Sequence, residues 1–171
     1  MSVVINGSAG VTTNSGAVYD SLQRATAVAS TSGTSIDFTS IPSWVRRITV
    51  MLSGVSTNGT SNILVQIGAG SVANTGYNST ASSFSTSVNS TAGFILTGAI
   101  TAATSQSGIA TVTTLGSNVW VASSGLAFSN SSIGNTAGGN VTLSGTLDRV
   151  RITTVNGTDT FDAGTINILY E

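Results

Sequence analysis

The most regular hydrophobic pattern in the chain runs over residues 45–55, where Ile48, Val50 and Leu52 alternate with Arg47, Thr49 and Met51. A period of two puts the first set on one face of a strand and the second on the other. The alternation begins earlier, from Ser35, where Ile36 and Phe38 share a face before a slip to Ile41. Pro42, the single proline, marks a turn or a strand start, because it has no N–H to give a ladder. Asn58-Gly59 tolerates positive φ, so the chain is expected to turn there and return as a hairpin strand with Ile63, Val65 and Ile67 inward.

Further strands are expected over residues 92–96, 109–115, 118–123 continued through Gly125 by 126–129, 140–144, 148–154 and 165–170. Residues 69–90 hold only Tyr77 and Phe84 as large side chains and read as a long surface excursion, with 131–139 as a second loop. Before Ser35 the chain is small and polar. Val18, Leu22 and Ala25 have helical spacing within residues 17–27, but the flanking Ser/Gly/Thr clusters read equally well as an extended arm or a first edge strand. About eight to ten short strands, with no helix of crossover length, predict an all-β protein: an antiparallel β-sandwich or jelly roll. The arm would occupy residues 1–34 and the sandwich 35–171.

Composition narrows the chemistry. Ser, Thr, Gly and Asn dominate, and the 171 residues include 5 Lys+Arg and 6 Asp+Glu, a net charge of −1. All five cations are arginine, so there is no basic footprint for nucleic acid or anionic lipid. With no apolar run near ~18 residues, no membrane insertion is expected, and the N-terminal residues lack the pattern of a signal peptide. Histidine and cysteine are absent, which excludes Ser-His-Asp and Cys-His triads, disulfides and the usual zinc sites. Asp159 and Asp162 are the one close acid pair. A role in Ca²⁺ ligation is weighed against turn capping, which the sparse acidic context favours. No catalytic, cofactor-binding or metal-ligating residue is therefore assigned, and no enzyme activity is expected.

Six of the charges fall in the last 25 residues: Asp148, Arg149, Arg151, Asp159, Asp162 and Glu171. Alternation places Arg149 and Arg151 opposite Val150 and Ile152, and Asn156-Gly157 is expected to close a terminal hairpin. Arg47, Arg149, Arg151 and Asp148 would then mark the solvent-facing or subunit-facing side of two hairpins, where cross-strand ion pairs contribute about 0.2–1 kcal/mol each. The segments from Arg46 and from Arg149 also echo one another, each running basic residue, Ile-Thr, Asn-Gly-Thr, then Asn-Ile-Leu. Either a duplicated unit or a small residue alphabet explains that. A surface this poor in charge predicts burial in an assembly. Trp44 and Trp120 read as core or interface residues. Tyr77, Asn78, Phe84, Asn130 and Asn135, in or beside the two loops, are the expected ligand or partner surface.

The stretch IPSWVRRITVMLSGVSTNGTSNILVQIG, then TGY at Thr75-Gly76-Tyr77, and the closing LDRVRITTVNGTDTFDAGTINILYE resemble a recurrent module of tailed-bacteriophage virion proteins. The module commonly closes long tail-fibre proteins, and the resemblance covers about residues 35–171. It implies a non-enzymatic virion structural protein. The form first expected is a short fibre or fibre-tip knob that self-assembles as a homotrimer on other virion proteins and contacts host-surface polysaccharide through residues 74–87 and 131–139. The alternative is a capsid decoration (cement) or head-fibre protein. A glycan depolymerase is a third reading, weakened by the shortage of acids. Such a protein assembles in the host cytoplasm and is displayed on the particle surface. Unlike the long forms, this chain has some 30 residues of arm in place of a docking domain, coiled coil or collagen-like shaft.

Overall fold

A computed structural model describes residues 22–84 and 86–171 in full, and before them the backbone of three strands, β1 (Val3–Asn6), β2 (Gly10–Thr13) and β3 (Val18–Tyr19). These three pair in order as an antiparallel sheet of their own. The rest of the arm expectation over residues 1–21 lies outside the described residues. Next come β4 (Gln23–Arg24) and β5 (Val28–Ala29). The helical spacing of Val18, Leu22 and Ala25 is thus not used: the chain is extended on either side of Leu22, and Ala25 packs on the core.

The sandwich follows in twelve strands. They are β6 (Ser35–Thr39), β7 (Arg47–Thr57), β8 (Ile63–Ala69), β9 (Ser71–Val72), β10 (Asn78–Ser83), β11 (Ser87–Ser90), β12 (Phe94–Ile95), β13 (Gln106–Gly116), β14 (Val119–Phe128), β15 (Ile133–Thr142), β16 (Arg149–Thr154) and β17 (Phe161–Tyr170). The described residues form strands and connections without a helix, in antiparallel sheets, as the periodicity predicts, although the strands outnumber the expected eight to ten. One sheet runs β11-β10-β15-β14-β13-β7-β17-β4, with β5 also on β17. The other runs β12-β8-β16-β6, with β9 on β8.

The core lies between them. Ile48, Val50 and Leu52 of β7, Val112 of β13, Trp120 of β14 and Ile166 and Ile168 of β17 meet Ile36 and Phe38 of β6, Val65 and Ile67 of β8, and Val150 and Ile152 of β16. Each such aliphatic or aromatic side chain contributes roughly 1.5–3 kcal/mol on burial. The alternation seen in the sequence is therefore the cause of the two layers. β8 is covered on its second face as well, by a smaller cluster of Leu64, Ile95 and Ala81.

Three expectations are overturned. The Asn58-Gly59 and Asn156-Gly157 turns are not hairpins: β7 and β17 belong to the larger sheet, whereas β8 and β16 belong to the smaller. Each connection is an arch that carries the chain from one sheet to the other. Five residues lie between β7 and β8 and six between β16 and β17, longer than the two-residue loop an Asn-Gly hairpin uses. Residues 131–139 are not a loop, because β15 runs through Gly134, Gly138 and Gly139. Nor are residues 69–90 an excursion: they form β9 and the β10–β11 hairpin at the end of the larger sheet. The small side chains there carry no hydrophobic alternation, so only the ladder reveals the strands.

The echoing segments turn out to be the two arches, and they hold each other. β7 pairs with β17 and β8 with β16, both antiparallel. Between the arch loops, the Asn58 N–H donates to Thr160 O (3.0 Å) and the Thr160 N–H to Asn58 Oδ1 (2.9 Å). The Asp159 carboxylate accepts from the Ser61 N–H (2.9 Å) and from Asn156 Nδ2 (2.6 Å). That carboxylate fills the space where a Cβ on Gly59 would sit. Gly157 serves differently, adopting φ +67° with open space around it.

Candidate interaction surface

The terminal charges resolve into paired groups. Arg151 on β16 stands directly opposite Asp37 on β6, and its Nε and Nη2 donate to the two carboxylate oxygens at 2.7 and 2.9 Å. Arg149 forms the same two-pronged contact with its neighbour Asp148, at 2.7 and 3.1 Å. Arg47, at the start of β7, pairs with Glu171. The hydrogen bond from Arg149 is the main cause that holds the Asp148 carboxyl below its usual range. The Asp37 carboxylate likewise raises Arg151 and Asp148 raises Arg149. These charges lie at the surface of the chain, and they pair along the edge of the smaller sheet and between β7 and the end of β17, not across a terminal hairpin. Asp159 serves as the arch clamp, and Asp162 accepts a hydrogen bond from Ser56 Oγ. Among the described residues no group of three or more Asp and Glu converges as a metal site.

Because the Asp37–Arg151 pair is exposed, its strength is modest: double-mutant cycles on such pairs give about 0.2–1 kcal/mol. Asp37→Asn is expected to lower stability by less than about 1 kcal/mol in dilute buffer, with the difference vanishing near 1 M NaCl as screening sets in. Urea midpoints at the two salt concentrations test this. A loss that persists at high salt would mean that Asp37 acts through packing rather than charge.

The five residues expected to form a ligand surface do not stay together. Tyr77 is 2 % exposed, packed edge-on against Phe94 with ring centroids 5.0 Å apart. Its hydroxyl accepts from the Ile67 N–H (2.8 Å) and donates to Ile67 O (3.1 Å). It fills a gap on the flank of β8 between β12, which pairs at Val65, and β9, which pairs at Gly68. Asn135 is also buried, at 2 %, with its Oδ1 accepting from the Gly98 N–H at 3.0 Å. Asn130 is exposed, yet its amide is engaged on both sides: Nδ2 donates to Ala103 O (2.9 Å) and Oδ1 accepts from the Ser105 N–H (3.2 Å). Tyr77 and Asn135 are thus core residues, and Asn130 is a loop clamp. Asn78 and Phe84 remain as outward groups, Phe84 being 99 % exposed at the tip of the β10–β11 hairpin.

Beside that tip, the loop leading into β13 and the β14–β15 turn enclose a cleft of about 310 Å³ lined by Ile100, Thr101, Thr104, Phe128, Asn130 and Ile133. It opens at one end of the sandwich, where Ile100, Thr104 and Phe128 are buried and Thr101, Asn130 and Ile133 are exposed. Nothing in it can act as an acid, base or nucleophile pair. Trp120 is buried, as expected, and Trp44 is partly buried against Tyr170, ring centroids 6.0 Å apart.

A broader feature emerges once the strands are placed. From Ile48 to Leu147 there is no Asp, Glu, Lys or Arg at all. That stretch supplies β8 to β15, so the whole flank β11-β10-β15-β14-β13 of the larger sheet is uncharged. Its exposed residues are mostly Ser, Thr, Asn, Gly and Ala, with Ile109 and Leu115 of β13 and Ile133 of β15 exposed as well, and Gly125 and Gly134 leave open space above the sheet. Ordinary monomer surfaces are roughly a quarter to a third charged. No protein family, curated relative or solved structure matches this chain.

Proposed function

We propose that the protein is a bacteriophage virion structural protein, a β-sandwich knob that self-assembles on the particle and has no enzymatic role. The observation that carries this reading is the uncharged flank spanning Ile48 to Leu147, an extent of neutral surface that favours burial against protein. The likeness of its arch segments to the virion module supplies the setting. In the fibre-tip form, Phe84, Asn78 and the cleft beside Ile133 face outward toward host polysaccharide.

One observation favours the second form, capsid decoration. Of the five residues expected to meet a ligand, Tyr77 and Asn135 are buried and Asn130 holds its own loop by both ends of its amide, so only Asn78 and Phe84 remain for a sugar. A cement protein needs none, since it works by covering neighbouring capsomers.

The experiment is to locate labelled antibody against this chain on purified particles and to count copies per particle. Hundreds of copies on the head are the expected result for decoration, and a few dozen or fewer at the tail for the fibre knob. Particles that carry none of it would dispose of both forms.

A further inference from the structure

We infer that the free edge of β11 is a self-association site, at which two copies of the chain join their larger sheets across a two-fold axis. The inference rests on the self-assembly reading above and names the surface responsible. Exposed edge strands are templates for pairing, and folded proteins blunt them with charge, proline, bulges, short length or a covering segment. The other edges of this sandwich carry such devices. β17 is covered by β4 and β5. β6 presents Asp37, ion-paired to Arg151, and is followed by Pro42. On β8 the free side is closed by β12, β9 and the Tyr77 hydroxyl.

β11 is blunted only by its length of four residues, and carries no charge, proline, bulge or covering strand. Its sequence is Ser-Val-Asn-Ser, it pairs with β10 in unbroken register, and among the described residues no strand pairs with its other edge. The Ser83 N–H donates to Thr86 O to close the hairpin. Alternation along an antiparallel ladder then turns the N–H and C=O groups of Val88 and Ser90 toward β10, and those of Ser87 and Asn89 outward. A two-fold axis through Val88 sets Ser87 of one copy against Asn89 of the other, twice, giving about four main-chain hydrogen bonds.

The occupant that suits this edge is a second copy, on grounds of charge. An isologous contact places like surface against like, and a charged flank would repel itself. Here the edge and the strands behind it hold no charge from Ile48 to Leu147, so self-docking meets no such cost. Phe84, fully exposed at the tip of the same hairpin, adds apolar surface beside the seam. Two-fold pairing predicts a dimer where the likeness to fibre modules implies a trimer.

The test is the mass of the full chain in solution, by sedimentation at micromolar concentration, beside S87K/N89K and, as a backbone probe, N89P. The chain itself is expected at twice its monomer mass. Both variants are expected at monomer mass with an unchanged far-ultraviolet spectrum and only a small fall in melting temperature, because Ser87 and Asn89 are exposed, their N–H groups point away from β10, and the side-chain hydrogen bonds lost to Ser82 and Thr80 are exposed ones. A trimer, or a dimer that ignores both substitutions, would overturn edge pairing while leaving self-assembly intact. A monomeric wild-type chain would overturn the edge site without bearing on where the protein sits on the particle, which antibody labelling reads separately.

Discussion

Gly164→Ala is expected to lower the unfolding free energy by about 3 kcal/mol, whereas Gly157→Ala lowers it by about 1 kcal/mol. Both glycines adopt positive φ, +95° and +67°, so both substitutions carry the strain of placing an L side chain in the left-handed region. They differ in what a Cβ meets. At Gly157 there is open space, but at Gly164 the new carbon would lie 2.5 Å from the carbonyl oxygen of Gly54 on β7. That atom is backbone, so the collision can be relieved only by moving one strand against another.

The site also lies on a line of irregularity that crosses the larger sheet. The β17–β7 register shifts on either side of Ala163, and the β13–β7 register shifts between Gln106 and Gly108. Gly164, Gly54 and Gly108, one on each strand, all have positive φ along this line. Ser30 bonds to it as well, its N–H to Gly164 O (2.9 Å) and its Oγ to Ala163 O (2.8 Å), which fixes the segment after β5. A Cβ at Gly164 would disturb this bulge from within the sheet. For a domain of this size the expected loss corresponds to a fall in melting temperature of roughly 6–12 °C. Equal losses for the two variants in thermal or urea unfolding would show that strain alone decides both, and that β7 accommodates the contact.

How far the fold was legible follows from where its information is stored. The strands facing the core, β6, β7, β8, β16 and β17, carry bulky residues at alternate positions, so their existence and inward faces can be read directly. β10, β11 and residues 133–139 of β15 bury little beyond Ser79, Ala81 and Asn135, so their sequences look like loops and only the ladder identifies them, whereas the end of β15, with Val141 in the core, is the part expected as strand. Asn-Gly likewise announces a turn but says nothing about which sheet the chain enters next. The arches are specified by longer-range partners, such as Asp159 against Gly59 and Ser61, that no local pattern contains. The candidate surface failed for a related reason. A lone aromatic or amide in a polar stretch resembles a ligand group, yet Tyr77, Asn130 and Asn135 each hydrogen-bond to the chain's own backbone. The uncharged run from Ile48 to Leu147 can be read from the sequence, but only the strand order shows that it makes one continuous flank of the larger sheet.

Tyr77 offers the sharpest check on that account, through alkaline pH. Burial raises its hydroxyl from the ordinary 10.0 to about 12, partly offset by the hydrogen bond with Ile67. In the unfolded chain the phenol ionises near pH 10, while in the fold it stays protonated until about pH 12. The fold therefore binds the proton more tightly than the unfolded chain, so the associated stability is intact below pH 10 and is lost as pH rises from 10 through 12. Two units correspond to about 2–3 kcal/mol. Tyr77→Phe keeps the ring against Phe94 but leaves the Ile67 N–H without its acceptor in a buried site, at a cost of about 1–3 kcal/mol near neutral pH. Phenylalanine has no proton to lose, so the gap between wild type and variant should narrow and then close or reverse as pH climbs. Urea midpoints taken from pH 8 to pH 12 on both proteins measure this directly. Two curves that run parallel across the whole range would mean that Tyr77 is solvated, and that the flank of β8 is closed by something other than its hydroxyl.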